Sequence, residues 1–176
     1  MSMDSTLQNE AIRLLGEQSG SVVMMDVNSG EVLTIASAPT FNPNQFTVGM
    51  SQREWDGLLD DQRKPLINKA IAGQYAPGST VKMLIAIAGL EEKVITPTEK
   101  IVCEGLYELG GDTFHCWEHE GHGAMNMHDA ITNSCDVYFY ELARRLGIDP
   151  IEKVAKKFGL GSPSIPGAFG EKKGLI

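Results

Sequence analysis

Ser79 and Lys82 stand three residues apart in the stretch Tyr75-Ala76-Pro77-Gly78-Ser79-Thr80-Val81-Lys82, directly before the apolar run Met83-Leu84-Ile85-Ala86-Ile87-Ala88. Pro77 and Gly78 predict a sharp turn, so Ser79 falls where the first N–H groups of a helix lack partners and Lys82 lies one turn on, along the same face. A serine hydroxyl is a weak nucleophile until a base takes its proton, and a lysine amine set against an apolar helix is a base suited to that step. The helix N-terminus would favour the alkoxide as it forms. Alone, the same spacing also describes a serine N-cap followed by a surface lysine.

A second group begins 55 residues beyond Ser79, at Ser134-Cys135-Asp136. A hydroxyl and a carboxylate at i and i+2, at a helix start facing a cleft, can relay a proton and hold a substrate amide. In isolation this too is a capping pattern, and Ser2-Met3-Asp4 repeats it. Its position before the apolar segment Val137 to Leu146 lets both groups line one cleft between helices.

A third concentration is of metal-binding type. The three cysteines Cys103, Cys116 and Cys135 and the four histidines His115, His119, His122 and His128 all fall between residues 103 and 135. Three thiolates and one imidazole make a closed tetrahedral set of the kind that holds structural Zn2+, here stapling a glycine-rich excursion to the helix start that carries Ser134. His122 is the expected imidazole, because Gly121 and Gly123 let the backbone turn its side chain inward, whereas His115 and His119 read as exposed. Buried free thiols and a disulfide between two of the three cysteines stay open as alternatives, although an odd count argues against a purely disulfide framework. Trp117, beside Cys116, reads as a wall of the cleft.

The elements that must position these groups follow from local pattern. Ser5-x-x-Gln8 reads as a capping box opening an amphipathic helix that ends near Gly16. Residues 21–27 and 31–36 are β-rich runs joined by Asn28-Ser29-Gly30, a hairpin. Ser51-x-x-Glu54 caps a short helix through Leu59 in which Trp55 is a packing anchor, and the Ser79 helix runs to about Lys93. Residues 96–125 read as irregular. Helical signals return at Asn126, break at Asn133-Ser134, resume from Val137 to Leu146 and start again at Asp149-Pro150, ending at Gly159. Tyr138, Phe139, Tyr140 and Leu142 are expected to fill the core under Ser134.

With 176 residues, 42% hydrophobic and 22% charged, the composition is that of one ordinary globular domain. A net charge of −8 with no Lys/Arg stripe argues against a nucleic-acid partner. The longest apolar run is far too short for a bilayer. Met1 to Met3 reads as an added start, so any natural targeting segment is expected outside this sequence.

Ser-x-x-Lys followed by Ser-x-Asp resembles the motif set of penicillin-binding proteins and serine β-lactamases, whose third member is Lys-Thr-Gly. Arg63-Lys64-Pro65-Leu66-Ile67-Asn68-Lys69-Ala70 with Tyr75 to Lys82, and the hairpin followed by Ser37-Ala38-Pro39-Thr40-Phe41-Asn42-Pro43, are similar to the corresponding runs of class B penicillin-binding proteins. Gly121-His122-Gly123 and Phe158-Gly159-Leu160-Gly161 are most similar to the penicillin-binding protein 2 group within it. The resemblance runs from about Thr6 to the C-terminus. It implies an α+β transpeptidase fold in which residues 4–36 supply a helix and the sheet's first hairpin, residues 51–160 a mainly helical subdomain, and residues 161–176 a tail. It implies an acyltransferase working at the periplasmic face of the bacterial inner membrane. Ser79 attacks the penultimate D-Ala carbonyl of a peptidoglycan stem peptide, Lys82 takes its proton, Ser134 shuttles a proton to an amine, and Asp136 takes the place often held by Asn. The Ser79 N–H forms half of an oxyanion hole. β-Lactams would acylate the same serine, elongation-machinery membrane proteins would be partners, and no cofactor is needed for catalysis.

Lys-Thr-Gly does not occur in this sequence; Lys172-Lys173-Gly174 lacks the threonine and reads as a solvated loop. The expectation is therefore a truncated domain lacking the later sheet strands, with catalysis absent or impaired in this chain alone. A β-lactamase-like serine hydrolase and a non-catalytic partner-binding module are the alternatives.

Overall fold

The computed structural model describes residues 3–165 and 167–176. It divides into two compact units, Met1–Tyr75 with Ile165–Lys172, and Ala76–Ser164 with Lys173–Ile176.

In the first unit, helix α1 (Ser5–Leu15) packs on a hairpin of β1 (Gly20–Met25) and β2 (Val32–Ala38). The sequence placed its cap at Ser5. Instead Asp4 Oδ1 accepts the N–H groups of Thr6 and Leu7 at 2.8 and 3.0 Å, because a carboxylate is a strong acceptor for those free donors. That leaves the Gln8 amide available: it donates to the Ile35 carbonyl at 2.9 Å and accepts the Ile35 N–H at 3.0 Å. The side chain thus occupies part of the β2 edge.

The hairpin is antiparallel with Gly20 opposite Ala38, and its turn is held by Asp26 Oδ1, which accepts from Asn28 and Ser29. Thr34, Ala36 and Ala38 alternate inward on β2, whereas Val23, Met24 and Met25 on β1 are exposed. Helices α2 (Asn44–Val48) and α3 (Gln52–Asp60) follow, the latter with the capping box that Ser51 and Glu54 predict. Trp55 does anchor this region, edge-on to Phe46, which meets Phe41 the same way. Helix α4 (Lys69–Ala72) joins the hairpin through the Lys69 N–H, which donates to Ser37 Oγ at 2.9 Å. Such contacts put residues 51–75 with the hairpin rather than with the helical region, so the division falls after Tyr75.

The second unit opens on a 3-10 turn (Gly78–Val81) that runs into α5 (Lys82–Glu91). Residues 96–125, read as irregular, contain four short strands. β3 (Ile101–Cys103) pairs with β6 (Gly123–Met125), and β4 (Leu106–Leu109) with β5 (Asp112–His115), both antiparallel. Strands of three or four residues are too short to show an alternating pattern, which is why the sequence hides them. Helices α6 (Met127–Thr132), α7 (Asp136–Leu146) and α8 (Ile148–Lys157) complete the unit, with the break at Asn133-Ser134 where expected.

α5 is apolar on nearly every side and lies between α7 and α8. Its close approach to α7 depends on Gly89, where a Cβ would sit 2.9 Å from Leu142 Cδ1 and 3.1 Å from Ile95 Cγ2. Tyr138, Phe139 and Leu142 are buried with Ile95, Ile101, Met127 and the three cysteines in one core. Among the described residues no helix is long and apolar enough to cross a membrane.

Candidate functional site

All eight residues singled out for chemistry lie in the second unit. The 3-10 turn leaves Ser79 exposed at the entrance of α5, and the following turn carries Lys82 inward, where it is 8% exposed. The break between α6 and α7 brings the other group up to it. Ser134 Oγ donates to Ser79 Oγ at 2.9 Å. Lys82 Nζ donates to Ser134 Oγ at 3.0 Å, to the Ser134 carbonyl at 2.7 Å and to Asp136 Oδ1 at 2.6 Å. Among the described residues no hydrogen bond joins Ser79 to Lys82 directly, so Ser134 is the link between them.

Asp136 opens α7, a position where a carboxylate is favoured by the helix dipole. Its second oxygen accepts the backbone N–H of Trp117 at 3.1 Å. The Trp117 indole N–H in turn donates to the Asn133 carbonyl at 3.0 Å. These two bonds were not foreseen from sequence; adjacency of Trp117 to Cys116 was the one signal available.

Behind this constellation, Cys103 at the end of β3, Cys116 after β5, His122 before β6 and Cys135 before α7 converge. One ligand atom from each lies within 4.8 Å of all the others. Gly121 and Gly123 have φ of 81° and 70°, the left-handed conformation that turns the His122 ring inward, and a Cβ on Gly121 would overlap the Cys103 carbonyl. His122 Nδ1 is 3.6 Å from both Cys103 Sγ and Cys116 Sγ. A tetrahedral zinc, with ligand bonds of the usual length, separates a sulfur from a nitrogen by about 3.5 Å, so these two separations are compatible with that ion.

Two of the thiols are shifted in opposite directions. Burial pushes the Cys103 thiol up, but hydrogen bonds from the backbones of His122 and Gly105 outweigh it and leave it at about 7. Burial pushes Cys135 up to about 12, only partly offset by the Tyr138 backbone N–H, with the neighbouring Cys103 and Cys116 raising it further. Several thiolates share a low-dielectric pocket only when a metal supplies the opposing charge. All three cysteines are free, and His115, His119 and His128 are exposed.

An apolar hollow of about 400 Å3, lined by Tyr107, Phe114, Tyr140 and Ile151 among others, contains none of these eight side chains and is separate from the reacting groups.

A serine hydroxyl at a helix entrance, bonded to a second serine that touches a buried lysine, is the side-chain arrangement that the Ser-x-x-Lys and Ser-x-Asn motifs of penicillin-recognising proteins describe. The chain matches the penicillin-binding protein transpeptidase domain over residues 20–176, and it belongs to that family. It is 38% identical over 177 residues to the peptidoglycan D,D-transpeptidase MrdA of Acinetobacter baumannii, a match covering 99% of this chain and 26% of that protein. The fold is similar to that of Pseudomonas aeruginosa PBP2 in complex with WCK 5153, with a TM-score of 0.91 and 37% identity, over 99% of this chain and 40% of that one. It is also similar to PBP2 of Helicobacter pylori in its complex with MreC, with a TM-score of 0.86 and 37% identity, over 92% of this chain and 30% of that one. The chain thus spans about a quarter of the length of the curated relative it matches. The α+β transpeptidase fold expected from sequence is the one found.

Proposed function

We propose that these residues are the nucleophile-bearing part of a peptidoglycan D,D-transpeptidase that cross-links stem peptides during lateral wall elongation. The observation that carries this is the unbroken chain Ser79 Oγ, Ser134 Oγ, Lys82 Nζ, Asp136 Oδ1, each step at 3.0 Å or less. Hydroxyls donate or accept as needed. Lys82 is paired with Asp136 as an ammonium; once one proton has left to solvent, the amine still donates to the Ser134 carbonyl and to Asp136 and turns its lone pair to the Ser134 hydroxyl. The Ser79 proton then passes to Ser134 and the Ser134 proton to Lys82 as Ser79 Oγ attacks the penultimate D-Ala carbonyl. The oxyanion forms at the N-terminus of the Ser79 helix, where the Ser79 N–H is one donor and the dipole is favourable. Collapse expels D-Ala, whose amine takes the proton back along the same path. The amine of a second stem peptide then attacks the ester and releases Ser79.

A β-lactam carbonyl would enter the same path and remain as an ester. The sequence contains no Lys-Thr-Gly, the third member of the motif set. The periplasmic face of the inner membrane as its place, and elongation-machinery membrane proteins as partners, follow from the same reading; the H. pylori PBP2–MreC complex supports it by likeness.

We assign Cys103, Cys116, His122 and Cys135 to one structural Zn2+. When bound, the ion neutralises the thiolates and ties β3, the β5–β6 segment and the start of α7 together. It takes no part in acyl transfer; Cys135 lies between Ser134 and Asp136, so its role is to hold that turn.

The test is a D-Ala-D-Ala pentapeptide and an acceptor amine offered to the full-length protein carrying this sequence. Released D-Ala with formation of the cross-linked product, both lost in Ser79→Ala, is the expected result. Hydrolysis of a β-lactam with rapid turnover would indicate a hydrolase instead, and partner retention without D-Ala release a binding module.

A further inference from the structure

Ser134 has φ of 50°, the left-handed conformation that strains a residue with a Cβ and persists only when its surroundings impose it. Its Oγ stands between the nucleophile and the lysine, so the strain is borne at the centre of the proton path. Two peptide planes flank the strained residue, and each has its carbonyl taken by a side chain. The Ser134 carbonyl accepts from Lys82 Nζ at 2.7 Å. The Asn133 carbonyl accepts from the Trp117 indole at 3.0 Å. The same tryptophan gives its backbone N–H to Asp136, which also holds Lys82. Its ring packs edge-on against His122 at 5.2 Å, while 59% of the residue stays exposed. A hydrophobic anchor would be buried; this indole is spent on one carbonyl at the rim.

We infer that Trp117 is a positioning residue for acylation. Its indole N–H fixes the peptide plane before Ser134, holds that residue left-handed, and so aims the Ser134 hydroxyl along the line from Ser79 to Lys82. This inference rests on the acyltransferase reading above. The hydrogen bonds of Trp117 go to Asp136 and the Asn133 carbonyl and none to Ser79 or Lys82 among the described residues. Loss of its N–H therefore changes the rate of proton transfer while leaving the groups that do the chemistry in the molecule.

The experiment measures acylation of the full-length protein by a fluorescent penicillin at rising concentration, which separates the pre-covalent dissociation constant from the acylation rate constant. Trp117→Phe keeps an aromatic ring against His122 and removes the donor. The expected result is an acylation rate constant lower by about ten-fold, with an unchanged dissociation constant, metal content and melting temperature. Replacement of Trp117 by 3-benzothienylalanine, which exchanges the N–H for sulfur at nearly constant shape, should give the same loss and decides the matter if the Phe variant misfolds. A rate within two-fold of the parent in a folded variant overturns the inference and leaves the acyltransferase reading intact. A parent protein that is not acylated removes both.

Discussion

The Ser79 hydroxyl reaches Lys82 by way of Ser134, so the middle residue is as necessary as the ends. Ser134→Ala should slow acylation of the full-length protein by about a hundredfold or more, measured by stopped-flow with a chromogenic β-lactam, while binding before acylation changes little. Asp136 supplies two acceptors, one to Lys82 and one to the Trp117 N–H. Asp136→Asn retains an acceptor and should cost less than about ten-fold in rate. Asp136→Ala leaves a largely buried lysine without its counter-charge and should cost about 3 kcal/mol of stability in urea unfolding. The meeting of Ser79, Lys82 and Ser134 was legible because each sits at a turn or helix start that the local sequence dictates. The bonds of Trp117 were not, because they join it to residues 16 and 19 positions away whose approach depends on the break between α6 and α7.

At the scale of elements, the helices that carry the site are held by contacts more specific than burial. On α7, Glu141 receives Arg144, Arg145 and the Tyr107 hydroxyl, the last from β4. The Arg144 guanidinium leads in holding its carboxyl down, and despite burial it lies at about 2. A depressed carboxyl stabilises the fold above its unfolded value near 4.5, and this contribution is lost as pH falls toward 2. Glu141→Gln should therefore lower stability at pH 7 by about 1–2 kcal/mol, and in acid denaturation curves the difference from the parent should shrink below pH 4.5 and vanish only as pH falls through about 2. Gly89→Ala should cost about 1–3 kcal/mol, since the new methyl meets Leu142 where α5 crosses α7. Local signals predicted the elements wherever one pattern had no rival, as with Ser51 and Glu54. They misassigned the first cap, where Asp4 and Ser5 are adjacent candidates and the stronger acceptor won. They missed β3 to β6, whose pairing is set by partners far along the chain.

Over the whole molecule, the proposed zinc would tie the second unit's glycine-rich segment to the start of α7. Purified protein should carry close to one equivalent of zinc by mass spectrometry, and Cys135→Ser should lose it together with several degrees of melting temperature. Because thiolates must form, affinity should rise with pH through and above 7, and acidification should release the ion, followed with a chromophoric chelator. Metal bound at well below one equivalent, with no pH-dependent release, would contradict the assignment. The four residues of this cluster stand out in the sequence by type and count, while their convergence required the positive φ of Gly121 and Gly123. Full-length protein treated with a β-lactam, digested with trypsin and sequenced by mass spectrometry should show one adduct, on Ser79 within the peptide Ala70–Lys82. No adduct, or an adduct that maps elsewhere, would contradict Ser79 as the nucleophile.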